Sequence, residues 1–130
     1  MNALRQGRLS VAKGMTMPYI NDFSFGNIEV DSKQFTDDVI VYPWAVDDTW
    51  WRDEGHVLKP RDIKEALEAD PEVLVVGTGA HGRLTITDEV RDELKERGIE
   101  LIAAETPEAV EQYNHRQADK CAVALLHLTC

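Results

Sequence analysis

The sequence predicts an α/β fold: a mixed sheet with an antiparallel meander at its N-terminal end and helices packed on one face. Three observations carry this. Residues 19 to 42 alternate apolar and polar side chains between tight turns. From Pro60 the apolar spacing changes to a helical period. Beyond Glu72 strand-like and helix-like runs alternate with short connections, the pattern of parallel neighbours joined by helices.

The meander signal begins at Tyr19. Phe23, Phe25, Ile28 and Val30 flank a Gly26-Asn27 turn, Asp31-Ser32 forms a second turn, and Phe35 follows. Val39-Ile40-Val41-Tyr42 is a β-branched run stopped by Pro43, and is read as part of the same meander. A loop with Trp44, Trp50 and Trp51 comes next. In the first helix Pro60 suits the opening turn, and Ile63, Ala66 and Leu67 share a face. Asp70-Pro71 ends it. Val73-Leu74-Val75-Val76 reads as a strand buried on both faces. Thr87 is a helix N-cap, with Asp88 and Glu89 in the first turn and Gly98 as the stop. Ile99 to Ile102 is a strand, Thr106-Pro107-Glu108 opens a third helix, and Cys121 to Leu128 closes the domain.

At 130 residues the chain is long enough for one domain whose core needs no metal or disulfide. Residues 1–17 carry Arg5, Arg8 and Lys13 and no acid, and lack a signal-peptide core. They are expected to form a flexible N-terminal arm, with residues 18–130 as a single α/β domain. The net charge of −10 repels phosphate backbones and anionic lipid. Lys33, Arg52, Lys59, Arg61 and Lys64 are diluted by Asp37, Asp38, Asp53, Glu54 and Asp62, so no basic patch forms. The expected partner is therefore an unidentified protein, with no nucleic acid and no membrane, and the expected location is cytoplasmic. The oligomeric state is not readable. Cys121 and Cys130 are expected to be free thiols of a reducing compartment.

Gly77-x-Gly79-x-x-Gly82 follows a buried strand, as in a dinucleotide fingerprint, and Glu105 stands after the next strand, where ribose would be recognised. Against this, Leu84-Thr85-Ile86 delays the helix, the strand is not the domain's first, and too little chain follows for a second nucleotide-binding half. No cofactor is expected. Gly77, Thr78 and Gly79 could instead form a backbone nest for a smaller anion, or a turn that simply needs positive φ. His56, His81, His115 and His127 show no metal-site spacing, and no nucleophile signature appears, so no catalytic or metal residue is assigned. Arg52 and His56 could line a pocket, or belong to a packed loop in which Arg52 pairs with a neighbouring acid. Trp51 is expected inside, with Trp44 or Trp50 partly exposed as a partner-binding anchor.

Several blocks carry a family resemblance: Phe25-Gly26-x-Ile28, Asp38-Val39-Ile40-Val41, Trp51-Arg52-x-x-Gly55-His56, Glu72 to Gly79, and Thr106-x-x-Ala109-x-x-x-Tyr113-Asn114. In order and spacing they resemble a small domain-of-unknown-function family. That family includes a mitochondrial complex I assembly factor and an adipogenesis-associated protein. The resemblance covers roughly Tyr19 to Leu128. It implies a three-layer β/β/α fold, no established activity or cofactor, and recurrent positions at Trp51, His56, Gly77, Thr78, Gly79, Thr106, Tyr113 and Asn114. Val110 and Gln112 stand where the family often has Cys and Thr, and Asp119-Lys120 replaces its Arg-rich run. The reading that results is a non-enzymatic interaction or assembly domain. Its ligand- or partner-binding candidates are those eight positions and Arg52. The alternative is a small-ligand or anion-binding protein, with enzymatic activity an open question, that uses the Gly-Thr-Gly turn.

Overall fold

The computed structural model describes residues 18–130; the N-terminal arm lies outside the described residues. Strands β1 (Ile20–Ser24), β2 (Asn27–Val30) and β3 (Lys33–Phe35) form the expected antiparallel meander. Its turns match their residues: Gly26 has φ 75°, and Asp31 and Ser32 both have positive φ, as a two-residue hairpin loop of matching twist requires.

The central sheet contains β4 (Val39–Val41), β5 (Val46–Asp47), β7 (Val73–Gly77), β9 (Glu100–Ala104) and β10 (Ala122–Leu126), in the order β5-β4-β10-β7-β9. Strand β4 thus leaves the meander to which its sequence was assigned and pairs antiparallel with β10. The cause is its composition. All three of its residues are buried, and only the middle of a two-sided sheet buries both faces of a strand. Strands β7, β9 and β10 are parallel. A two-stranded parallel pair, β6 (Val57–Leu58) with β8 (Thr85–Ile86), lies apart from the central sheet.

Helix α1 (Lys64–Glu68) follows a 3₁₀ turn at Pro60–Ile63. Helix α2 (Asp88–Arg97) is capped by Thr87, whose Oγ1 accepts from the Val90 N–H, and stops at Gly98 with φ 71°. Helix α3 spans Thr106–Arg116. Two cores flank the sheet. On one face Ile40, Leu74, Val76, Val123 and Leu125 pack with Trp50, Ile63, Ala66, Val90 and Leu94, under α1 and α2. On the other, Val39, Val41, Val73, Val75 and Leu126 pack with Ile20, Ile28, Val30, Ala109 and Tyr113.

The mixed three-layer α/β class is therefore as the sequence indicates, with one difference in where the helices lie. Helices α1 and α2 share a face, whereas α3 lies beside the meander. Chain geometry forces this. The chain steps outward from β7 to β9 through α2, then back past β7 to β10 through α3. Parallel crossovers are right-handed, so reversing the step moves the second helix to the opposite face.

Asn114 fastens α3 to the meander: its Oδ1 accepts from the Ile20 N–H at 2.9 Å and its Nδ2 donates to the Ile20 carbonyl at 2.8 Å. Tyr113 beside it is fully buried, and its hydroxyl has no hydrogen-bond partner among the described residues. Burial pushes its ionisation far above the ordinary tyrosine range. The two neighbours should therefore respond differently to truncation. Asn114→Ala leaves a partly buried strand N–H and carbonyl without partners and should cost about 1–3 kcal/mol. Tyr113→Phe removes a buried hydroxyl with nothing to lose and should leave stability unchanged or raise it by about 1 kcal/mol. Urea unfolding of both variants checks this.

Candidate functional site

The strand order places the site. Adjacent parallel strands β7 and β10 end side by side at the carboxyl edge of the sheet, the edge outside which open α/β sheets bind their ligands. Residues from four segments meet there: the Gly-Thr-Gly turn after β7, His127 after β10, Asp38 before β4, and the tryptophan loop.

Asp38 arrives by register. Val39 pairs with Leu126 in the antiparallel β4–β10 ladder, so the preceding residue of one strand adjoins the following residue of the other. Asp38 Oδ2 lies 2.8 Å from His127 Nδ1, and Oδ1 accepts from the Leu128 N–H at 2.8 Å. Arg52 Nη1 reaches the same Oδ2 at 2.9 Å, and Nη2 donates to the Gly55 carbonyl at 2.7 Å. The side chains of Arg52 and His127 are each only 6% exposed, that of Asp38 19%. The guanidinium also lies over the Trp50 ring, 4.7 Å from its centroid. Arg52 is thus a packed residue, but its acid comes from across the sheet and not from its own loop.

Asp38 is an acceptor, so His127 Nδ1 carries the proton of the hydrogen bond between them. Burial alone would push the Asp38 carboxyl up. The hydrogen bonds from His127 and Leu128 and the charges of His127 and Arg52 outweigh it and hold the pKa below the ordinary aspartate value. Arg52 Nε and His127 Nε2 are buried and have no hydrogen-bond partner among the described residues. The His56 ring, exposed on its other side, meets the His127 ring edge-on with centroids 5.8 Å apart.

The tryptophan loop does not form one patch. Residues 50–52 alternate inward and outward. Trp50 is buried and its Nε1 donates to the Asp62 carbonyl at 3.0 Å, while Trp51 is 75% exposed. The expectation that Trp51 lies inside is thereby corrected: Trp50 and Arg52 both point into the core, and alternation leaves Trp51 outside. Trp44 is 53% exposed and stacks on Tyr42 in the β4–β5 turn, at the far end of β4 from Asp38.

The Gly-Thr-Gly turn adjoins the cluster but offers no nest. Thr78 N–H and its hydroxyl both donate to the Ala104 carbonyl, and Gly79 N–H donates to Thr106 Oγ1 at 2.9 Å. Ala80 N–H donates to Thr129, and His81 and Arg83 N–H to Cys130. The chain's own final residues occupy the space an anion would take. Helix α2 opens at Asp88, well past Gly82, so the helix that follows the turn does not back it; the first residue of α3 does adjoin it, and the Thr106 N–H donates to the Gly79 carbonyl at 3.0 Å. Thr106, fully buried, also donates from its hydroxyl to the His127 carbonyl at 2.7 Å, while His127 N–H donates to Gly77.

Of the sequence candidates, Arg52, His56, Gly77, Gly79 and Thr106 therefore converge around His127. Thr78 is spent on the neighbouring strand β9, and Tyr113 and Asn114 belong to the α3–meander contact. Asp38 and His127 were missed as site residues. The signal available for His127 was a titratable residue ending an otherwise apolar strand.

A protein-family profile described as protein of unknown function (DUF498/DUF598) matches residues 20–127. The chain belongs to the DUF498/DUF598 family. Solved structures agree. A conserved hypothetical protein, PH1505 of Pyrococcus horikoshii OT3, is 28% identical with a TM-score of 0.74, over 85% of this chain and 98% of that one. A protein of Bartonella henselae described as an outer membrane protein is 26% identical with a TM-score of 0.71, over 88% of this chain and all of that one. A Bordetella pertussis protein described as a Mth938-like domain shares the fold at 23% identity and a TM-score of 0.61, over 85% of each chain. No helix among this family member's described residues is long and apolar enough to cross a membrane.

Two predictions follow from the packing. Gly79 has φ 108°, and a Cβ there would collide with the Cys130 carbonyl; at Gly82, with φ 70°, it would meet the flexible Glu105 side chain at 3.3 Å and Thr78 Oγ1 at 3.7 Å. Gly79→Ala should therefore destabilise the domain by several kcal/mol more than the roughly 1 kcal/mol expected of Gly82→Ala, as read by thermal unfolding. The folded pKa of Asp38 lies below its unfolded value, so its contribution is complete above the unfolded pKa and disappears as pH falls through the folded one. Asp38→Asn should cost about 3–5 kcal/mol near neutral pH by leaving Arg52 buried without its counter-charge. The variant's unfolding free energy should also lose part of its decline on the acid side of about pH 4.

Proposed function

We propose that this member of the family is a non-enzymatic protein-interaction domain, and that its binding face lies at the carboxyl ends of β7 and β10. The observation that carries the reading is Trp51. It is held out in water at 75% exposure between two residues fixed inward, Trp50 by its bond to Asp62 and Arg52 by its ion pair with Asp38. Exposing a tryptophan is costly, and a residue whose neighbours are both pinned cannot relieve the cost by turning in. A rigidly presented aromatic is what an interface anchor needs.

Phe25 adds to the same end of the molecule. It is 60% exposed at the tip of the β1–β2 hairpin, which is tied to the chain's last residues by the Gly26 N–H bond to the Leu128 carbonyl. Its ring lies 6.1 Å from that of His81 in the glycine loop. The acidic surface selects against nucleic acid and anionic lipid and leaves a protein as partner. An assembly role, of the kind carried by one branch of the family resembled, in a cytoplasmic setting, belongs to this same proposal. The small-anion alternative loses its main support with the turn's N–H groups used inside the chain.

The test compares parent, Trp51→Ala and Trp44→Ala as baits, with quantitative mass spectrometry of what each retains. Trp51→Ala should keep its stability within about 0.5 kcal/mol, as surface substitutions do. It should nevertheless lose partners by roughly 30-fold or more in affinity, as removal of a hot-spot tryptophan does. Trp44→Ala should retain them. Identical retention by all three would sink the reading.

A further inference from the structure

We propose that the free edge of β9 pairs antiparallel with β9 of a second copy of this chain, joining the two central sheets across a two-fold axis at Ile102. The inference is independent of the protein-binding face, because it makes no use of Trp51 or Phe25.

Strand β9 ends the central sheet and is paired on one side only, with β7. That pairing fixes which backbone groups are spent. The Glu100 N–H donates to the Glu72 carbonyl, and the Ala104 carbonyl accepts from the Thr78 N–H. Successive residues of a strand direct their N–H and C=O groups to opposite sides. Glu100, Ile102 and Ala104 therefore face β7. Leu101 and Ala103 present their N–H and C=O groups outward, with no backbone partner among the described residues.

Such a row is a template for another strand, and proteins guard it with short strands, charges, bulges or cover. The other sheet edges here are guarded. Strand β5 is two residues long and ends in Asp47. Strand β3 is three residues long and begins with Lys33. Strand β1 is bulged between Ile20 and Asp22, and the Asn114 side chain occupies the Ile20 N–H and carbonyl. Strand β9 has none of these devices. It runs five residues in unbroken register without proline, and Leu101-Ile102-Ala103-Ala104 carries no charge. Its one charged residue, Glu100, is already paired with Arg116 of α3.

The occupant follows from the same facts. An unguarded edge on one copy is present on every copy, so β9 itself is always available at equal concentration and matching length. Its register is also self-complementary. With the axis at Ile102, Leu101 meets Ala103 of the second copy and the two exchange both N–H···O=C bonds; the axis repeats the exchange. Large faces small there, since Ala103 is exposed and Leu101 is half-buried against the core under α1 and α2. On the other face Ile102, also half-buried, meets its own copy in the pair type that brings side chains closest. Glu100 meets Ala104, so no like charges stand directly opposite.

The experiment uses the whole chain at ~0.15 M salt, where repulsion between copies of net charge −10 is largely screened beyond about 8 Å. Sedimentation equilibrium from micromolar to millimolar protein should show a monomer–dimer equilibrium. The Leu101 and Ala103 amides should exchange with solvent more slowly as the dimer fraction rises. Ala103→Pro removes an outward N–H and leaves every bond to β7 in place, as an edge position allows. Ala103→Lys adds the missing guard charge at an exposed site and does not depend on the strand accepting proline. Circular dichroism reports that each variant is folded, and each should weaken dimerisation by about tenfold or more. The proposal is overturned if the parent stays monomeric throughout, as it would if this edge served a foreign strand. It is equally overturned if the parent dimerises with Leu101 and Ala103 exchange unchanged, or if the folded variants dimerise as tightly as the parent.

Discussion

A single half-buried carboxylate holds the functional end of this molecule together. Asp38 accepts from Arg52, from His127 and from the Leu128 backbone, and so joins the edge of β4, the tryptophan loop and the segment after β10. None of these could stand alone. A guanidinium that is 6% exposed has to have its charge answered at close range, and the loop that carries it has little regular structure of its own. Asp38 supplies that answer, and the loop's conformation follows from it: Trp50 and Arg52 inward, Trp51 outward.

The topology explains why this carboxylate stands where it does. Two right-handed crossovers of opposite direction put α2 and α3 on opposite faces. At the ends of β7 and β10 the glycine loop, the first residue of α3 and the segment after β10 are bonded together. Thr129 and Cys130 accept from the glycine loop, and Thr106 bonds both Gly79 and the His127 carbonyl. Glycine at position 79 is required by that closure, since no side chain fits against Cys130. The Gly-Thr-Gly turn is therefore part of the fold's seam, and the chemistry beside it belongs to side chains.

Much of the architecture could be read from local pattern. The meander turns, the Thr87 cap, the Gly98 stop and the buried run Val73–Val76 are all short-range signals that the folded chain honours. What the pattern did not carry is long-range. The run at Val39–Val41 looks like one more meander strand until its pairing with β10 is known, and the face of α3 depends on strand order. The same holds for the site. Arg52 and His56 stood out as a loop pair, but Asp38 becomes the partner of Arg52 only through an antiparallel register 90 residues away at Leu128. Trp51 was misplaced for a related reason. Hydrophobicity argues for burying it, and only the two anchors on either side of it decide that Trp50 takes the core position.

The central claim is that Asp38 and Arg52 act as one buried unit, and a double-mutant cycle tests it most directly. Asp38→Asn, Arg52→Met and the double variant would be unfolded in urea at neutral pH. If each partner's loss strands the other's charge, the double variant should be more stable than the sum of the single losses implies, with a coupling of about 2–3 kcal/mol. Additivity within about 0.5 kcal/mol would contradict the account and reduce the pair to a surface contact that contributes little to the fold.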